Sequence, residues 1–271
     1  MGHGESSVMA LVSIIMPSFN SEKFIENAIE SVLSQTLDDW ELLISDGGSN
    51  DRTVDIIKEY SRQDDRVVYI DNKDDMGPAH ARCVGVKQCS GEYVAFLDAD
   101  DLWLAGKLES QVKFMQEDSI DFSYTSYRSM NESGEREGCV IPMYSSYNFF
   151  QALSRRGIGI LTVMVKRKLL SNDVIETYGK SHGEDYLWWL LILKQGTVAR
   201  HLDKDTARYR HVDGALSSHR YRYKHQATVW DSYRNEVGLG FLMSAFCYGS
   251  YLLDASLRKI WTMACSRLTT R

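Results

Sequence analysis

Three carboxylates close one short apolar run. Residues 91–103 read Gly-Glu-Tyr-Val-Ala-Phe-Leu-Asp-Ala-Asp-Asp-Leu-Trp. Residues 93–97 suit a buried strand of a parallel sheet, and Asp98, Asp100 and Asp101 follow at once. Open α/β sheets bind ligands beyond the carboxyl ends of their strands. Acids crowded there repel one another unless a cation or hydrogen-bond donors offset the charge. Hard cations with oxygen ligands, Mn²⁺ or Mg²⁺, suit carboxylates and usually bring substrate phosphates with them. The stretch therefore points to a metal–diphosphate site. A lone D-x-D more often marks a solvated acidic turn ahead of a helix, so the rest of the chain must decide.

Other residues able to do chemistry stand at comparable places. Asp46 follows the apolar run 41–44 and precedes Gly47 and Gly48, which let a backbone approach closely. Asn20 follows the run 12–16 and Pro17. Glu184 and Asp185 open an almost wholly apolar segment, 186–193. Acids in a first helical turn are favoured by the helix dipole alone. Asp185, however, stands at the edge of a segment that must be buried, where its proton affinity can be tuned, which makes it a candidate general base. His211 could ligate a metal or contact a phosphate, but a lone histidine reads more readily as structural. Arg210 can neutralise a diphosphate or pair with a surface acid.

The elements that must position these groups follow from periodicity. Strands are expected at 12–16, 41–44, 67–70 and 93–97, and a helical repeat of Phe24, Ile25, Ala28, Ile29, Val32 and Leu33 follows the first. Asp51 can cap a helix carrying Val54, Ile57 and Tyr60, and Gly77-Pro78 opens one carrying Arg82, Val86 and Lys87. This is β-α-β-α-β-α-β, a doubly wound parallel sheet whose loops gather at one edge. No Gly-x-Gly-x-x-Gly follows the first strand and no Gly-Lys-Ser/Thr P-loop occurs, so dinucleotide and P-loop readings lose their support. Downstream, a helix is expected over 104–117, a strand at 121–125, a polar loop at 131–138, a short helix at 149–153, strands at 158–165 and around Val198, and a helix at 184–193. Residues 208–217 are expected to follow the last strand.

Composition narrows the class. The 271 residues are 44% hydrophobic and 25% charged, ordinary for a soluble globular chain, and the net charge of −6 excludes a nucleic-acid binder that relies on a basic surface. Five irregularly spaced cysteines without a C-x-x-C pair read as free thiols of a reducing compartment. Residues 1–7 are polar and hold no secretory signal. They formally fit a myristoylation pattern, but a leader ahead of a start at Met9 is the better account. Residues 238–253 are strongly apolar yet too short to span comfortably. Residues 256–271 interleave Leu257, Ile260 and Trp261 with Arg258, Lys259, Arg267 and Arg271. Such a basic amphipathic helix can lie in a membrane interface or pack on the core.

Five segments in order resemble one family: Val-Ser-Ile-Ile-Met-Pro-Ser-Phe-Asn at 12–20, Ser-Asp-Gly-Gly-Ser-Asn-Asp-Arg-Thr at 45–53, 77–85, Gly-Glu-Tyr-Val-Ala-Phe-Leu-Asp-Ala-Asp-Asp at 91–101, and Glu184-Asp185. Together they resemble the inverting glycosyltransferases of family 2, of the kind that build bacterial O-antigen or capsule repeats. The resemblance covers residues 10 to about 220 and implies a GT-A fold: a Rossmann-like, mainly parallel central sheet with helices on both faces, here with a helical C-terminal extension. It implies a catalytic domain over 10–225, with a nucleotide-sugar half (10–103) and an acceptor half (104–225), and a tail over 226–271. By the same resemblance Pro17, Phe19 and Asp46 line a uridine pocket, Arg82 helps hold the nucleotide, Asp98 contacts the ribose and the metal, Asp100 ligates Mn²⁺ or Mg²⁺, and Asp185 is the base. The implied donor is a UDP-hexose or UDP-N-acetylhexosamine. The implied acceptor is an undecaprenyl-diphosphate-linked or other saccharide at the cytoplasmic membrane face, reached by a cytoplasmic or peripheral enzyme. Gly47, Cys83 and Ala105 depart from residues common in that family: a second acid, Asn and Pro respectively. Two other readings compete: a Mg²⁺-binding receiver-like module, too short to account for the second half, and a sugar nucleotidyltransferase, whose glycine-rich loop the first strand lacks.

Overall fold

The computed structural model describes residues 10–73, 77–155, 157–177, 184–212 and 222–269. The first half alternates strictly: β1 (Val12–Ser18), α1 (Ile25–Leu33), β2 (Trp40–Asp46), α2 (Thr53–Gln63), β3 (Val67–Asp71), α3 (Pro78–Gln88) and β4 (Tyr93–Phe96). These strands lie in the order β3-β2-β1-β4, all parallel, with Ser18 level with Asp46 and Asp46 level with Asp71. β1 and β4 are buried along their whole length, because helices cover both faces. Successive side chains point to opposite faces. Ile14 therefore joins Ile25, Ala28, Ile29 and Val32 of α1, while Ile15 meets Cys83 and Val86 of α3. Gly91 lets the entry to β4 run against β1, for a Cβ there would lie 2.6 Å from the Ser13 backbone nitrogen.

The second half adds β5 (Leu102–Trp103), α4 (Lys107–Glu117), β6 (Phe122–Met130), β7 (Glu137–Val140), β8 (Ser146–Tyr147), α5 (Phe149–Ser154), β9 (Val163–Lys166), α6 (Asn172–Ile175), α7 (Glu184–Lys194), β10 (Ala199–Arg210), α8 (Arg222–Asp231) and α9 (Phe241–Thr269). The sheet continues β4-β9-β6-β10-β5, with β7 beside β6 and β8 beside β10. β9 is antiparallel to both neighbours, and β10 runs parallel to β6. The expected mainly parallel sheet with helices on both faces is thus what forms. The cysteines Cys83, Cys89, Cys139 and Cys247 are free thiols, as expected.

Four local expectations change. The helix expected from 104 begins at Lys107, because Trp103 is drawn into a pair with Ala207 of β10. The strand expected over 158–165 is a 3₁₀ turn, Ile160–Thr162, followed by β9. Part of the polar loop 131–138 pairs back onto β6 as β7. Arg208 and Arg210 do not follow a strand but belong to one, since β6 extends β10 as far as the pair Arg210–Met130.

At the C-terminus the apolar and the basic segments merge into the single helix α9. Its inner face buries Ser244, Cys247, Tyr251 and Asp254 against the α5 and α7 side of the sheet. Core packing therefore holds for one face of this helix, while its other face is exposed. No helix among the described residues is long and apolar enough to cross a membrane. The expectations for residues 1–9 and 213–217 lie outside the described residues.

Candidate active site

Two loops at the carboxyl edge of the sheet are laced together. Asp46, buried at the end of β2, accepts hydrogen bonds from Ser18 Oγ (2.9 Å) and Ser49 Oγ (2.6 Å) on Oδ1. On Oδ2 it accepts from the backbone N–H groups of Gly48 (3.0 Å) and Ser49 (2.8 Å). Gly48 turns this loop with φ +80°, a conformation that a β-carbon strains. Asn20 donates its N–H to Ser49 Oγ and takes the Asn50 N–H on its own Oδ1; Glu22 donates its N–H to Asp51 Oδ2 and accepts the Arg52 N–H on Oε2. Asp51 also accepts the Thr53 N–H, and hydrogen bonds from Thr53 hold its carboxyl below the ordinary range against the upward pull of burial. Pro17 lies in β1 beside this lacing, and Phe19 projects from it, 53% exposed. An exposed aromatic ring beside a buried, fully bonded carboxylate is a platform on which a flat base can stack.

The end of β4 lies next to this edge. Arg82 reaches from α3 and donates from Nη2 to Asp98 Oδ1 at 2.5 Å; its side chain is 6% exposed and that of Asp98 27%. Burial, then the Asp98 charge, pushes the Asp100 carboxyl up to about 6. Asp101 is buried deeper, and burial followed by the Asp100 and Asp98 charges raises it well above the carboxylate range. Its Oδ1 accepts the Arg210 backbone N–H (2.8 Å), whereas Oδ2 is buried without a hydrogen bond. Arg210 closes the cluster from β10: its Nε donates to the Asp100 carbonyl (2.7 Å), its Nη1 to the Glu132 carbonyl (2.7 Å), and its guanidinium lies over Phe24 at 5.0 Å. Of the two sequence readings of Arg210, pairing with a surface acid does not describe it. The residue is buried and bonded to the acid loop by main chain and side chain. His211 donates its backbone N–H to Met130 and packs edge-on against Tyr209, in keeping with a structural role.

Asp98 and Asp100 fit a divalent cation. Burial, and after it the Asp98 charge, raises Asp100, a cost that a cation relieves, and the donors are the hard oxygens that Mn²⁺ and Mg²⁺ prefer. No three His, Cys, Asp or Glu side chains converge on one metal position among the described residues. An ion held here must complete its shell with water and phosphate oxygens.

Asp185 is positioned by aromatic packing instead of by a strand end. Trp188 and Trp189 of α7 both meet Phe96 of β4 at 6.0 Å, and Trp189 meets Phe122 of β6 at 5.2 Å. Phe96 stands two residues before Asp98, and Asp185 about one helical turn before Trp188. Buried rings thus lock the start of α7 to the strand that carries the acids. Asp185 is half-buried, and its Oδ1 accepts the Tyr186 backbone N–H at 2.8 Å. Tyr186, which belongs to none of the sequence motifs, bonds the Ala152 carbonyl and the Tyr233 hydroxyl, 2.8 Å each, and packs on Tyr251 of α9. No spacing rule marks it, since its partners come from three separate elements.

The family profile named Glycosyl transferase family 2 matches residues 13–179, more than half of the chain, with Asp46, Arg82, Asp98, Asp100 and Asp101 inside the match. The chain belongs to glycosyltransferase family 2. It is 39% identical, over 82% of its length and 84% of the relative's, to the UDP-Glc:alpha-D-GlcNAc-diphosphoundecaprenol beta-1,3-glucosyltransferase WfgD of Escherichia coli. It is 35% identical to the putative teichuronic acid biosynthesis glycosyltransferase TuaG of Bacillus subtilis strain 168, over 92% of this chain and 98% of TuaG. The crystal structure of S. aureus TarS superposes with a TM-score of 0.67 at 20% identity; 90% of this chain is covered but only 43% of TarS. That likeness shows the GT-A fold. The chain is therefore a glycosyltransferase, and the receiver and nucleotidyltransferase readings fall.

Proposed function

We propose that the enzyme transfers a hexose or N-acetylhexosamine from a UDP-sugar to a hydroxyl of a lipid-diphosphate-linked saccharide, with inversion, in the assembly of a bacterial surface polysaccharide. The observation that carries this is the acid edge itself, Asp98 and Asp100 beside Arg82 and Arg210, in a chain that matches WfgD over most of its length. The relative WfgD is named for UDP-Glc and alpha-D-GlcNAc-diphosphoundecaprenol, which makes a β-1,3-linked glucose the first product to seek.

In this reading Phe19 and Pro17 flank the uracil, and Asp46 holds the loop that shapes its pocket. Arg82 fixes Asp98 through Oδ1 and leaves its other oxygen to the ribose and the ion. Asp98 and Asp100 would hold Mn²⁺ or Mg²⁺, which when bound supplies positive charge to the departing diphosphate. Arg210 lies beside the same acids and adds a fixed cation near the phosphates. Asp185 accepts the proton of the acceptor hydroxyl while that oxygen attacks the anomeric carbon. The bond to UDP breaks on the opposite face, and an α-linked donor yields a β-glycoside. A lipid-anchored acceptor calls for work at the cytoplasmic face of the membrane.

The test is UDP release from a panel of UDP-sugars with Mn²⁺ and then with chelator, using a synthetic lipid-diphosphate α-GlcNAc acceptor. Metal-dependent release with one donor and a β-linked product bears the reading out. Absence of release with every donor, together with absence of UDP binding by calorimetry, removes it.

A further inference from the structure

Helix α9 has two apolar faces, and the fold uses only one. The inner face carries Cys247 and Tyr251, with Asp254 accepting from the Tyr144 hydroxyl (2.7 Å) and from Arg258 Nε (3.0 Å). On the other side Leu242, Phe246, Gly249, Leu253, Leu257 and Ile260 succeed one another at the three- and four-residue spacing of a single helix face. The five large side chains of that stripe are between 58% and 83% exposed, and Met243 and Trp261 flank it, each 54% exposed. From Leu242 to Ile260 it is about 27 Å long. Single exposed apolar residues are ordinary, whereas a continuous stripe marks a contact surface.

Charge selects the occupant. Residues 241–271 hold one acid, Asp254, which is paired with the inward-turned Arg258, so Lys259, Arg267 and Arg271 leave the segment net basic in a chain of net charge −6. That acid is turned inward and bonded, so the stripe is free of carboxylates. A second copy docking through the same stripe would bring two basic helices together, which like charge opposes; an anionic surface attracts them. Trp261 at the margin suits the headgroup level, where tryptophan is enriched.

We propose that the outer face of α9 is a lipid-docking surface that lies in the plane of an anionic membrane. It deepens the reading of a lipid-linked acceptor and, for its purpose though not for its physics, rests on it. Tyr251 on the inner face packs against Tyr186, the neighbour of Asp185. Docking through α9 therefore sets down on the membrane the side of the sheet that carries the proposed base, where an acceptor anchored in the bilayer arrives.

The experiment is co-sedimentation of the full chain with vesicles of phosphatidylcholine alone and of phosphatidylcholine with phosphatidylglycerol, without donor or acceptor. The variant is Leu253→Glu with Ile260→Glu; both side chains point outward, so its melting temperature should match the parent's. The parent should pellet with the anionic vesicles, less so in high salt, and the variant should partition at least about tenfold more weakly. Sedimentation velocity without vesicles should find both proteins monomeric. Failure of the parent to pellet, equal pelleting of the variant, or self-association of the parent that the variant abolishes would each overturn the proposal, the last by installing a second copy on the stripe. Vesicle binding without UDP release from any donor would leave the docking surface standing and remove the proposed transfer.

Discussion

The two halves of the sheet build their share of the site by different means. On the proposed donor side, the loops after β1 and β2 are tied by short polar contacts: Asp46 to its own loop, and, across 29 or 30 residues of chain, Asn20 to Ser49 and Asn50 and Glu22 to Asp51 and Arg52. On the proposed acceptor side, Asp185 owes its place to the packed rings of Trp188 and Trp189 and to Tyr186. Polar lacing holds one pocket shape for one nucleotide. Aromatic packing fixes the start of α7, which carries the proposed base. The difference teaches that the proposed nucleotide pocket and the proposed base rest on separate sets of contacts.

The sharpest way to break this contrast is at Asp185. Asp185→Asn should lower kcat by about a thousandfold or more while UDP-sugar affinity by calorimetry stays within about threefold. Retained turnover would remove the residue as base, and a parallel loss of donor affinity would show the halves to be coupled. Asp100→Asn should lose metal-dependent transfer on a similar scale, and transfer that persists in chelator would remove the metal assignment. The same change should raise the melting temperature of the ligand-free protein above pH 7. The sign follows from the raised value of about 6: the folded state holds the proton more tightly than the unfolded one, so stability is greater below that pH and is lost as pH rises through it. The removed cost is at most about 3 kcal/mol at pH 8.

Between these lies the aromatic scaffold. Trp188→Ala should cost about 3–5 kcal/mol of stability in denaturant unfolding, with acceptor KM rising more than donor KM. Equal effects on both would show that α7 serves the two halves alike. In the parent, donor affinity should fall as pH drops through about 6, since protonated Asp100 cannot serve an ion; a midpoint near 4 would exclude Asp100 as the controlling group.

The smallest effect on transfer is expected behind the site. Lys107 is fully buried, bonded through Nζ to Gln111 Oε1 (2.6 Å) and lying over the Trp103 ring, and burial lowers its amine to about 7. The unfolded chain binds that proton more tightly, so this group adds stability as pH rises from about 7 towards 10. Lys107→Met should flatten that slope of melting temperature against pH and leave donor affinity unchanged.

Much of the fold was legible because a parallel sheet covered on both faces demands continuous apolar strands. The runs ending at Met16, Ile44, Ile70 and Leu97 stand out for that reason alone. The acids after the fourth run were legible because charge at a strand end is conspicuous. The bounds of the second half were not. Whether Leu102–Trp103 is helix or strand, and whether Arg210 lies in a loop or at the end of β10, depends on pairing with Ala207 and Met130, far along the chain.

Sequence by itself determined the strand–helix alternation, the edge where acids collect and the candidate base, because these follow from local periodicity and from the chemistry of single side chains. Tertiary structure alone decided that Arg210 seals the acid loop, that Tyr186 carries Asp185's neighbourhood to α9, and which face of α9 is left to the outside. Each of these is a contact between distant segments, and a one-dimensional pattern states that a helix has two faces without stating which of them the core takes.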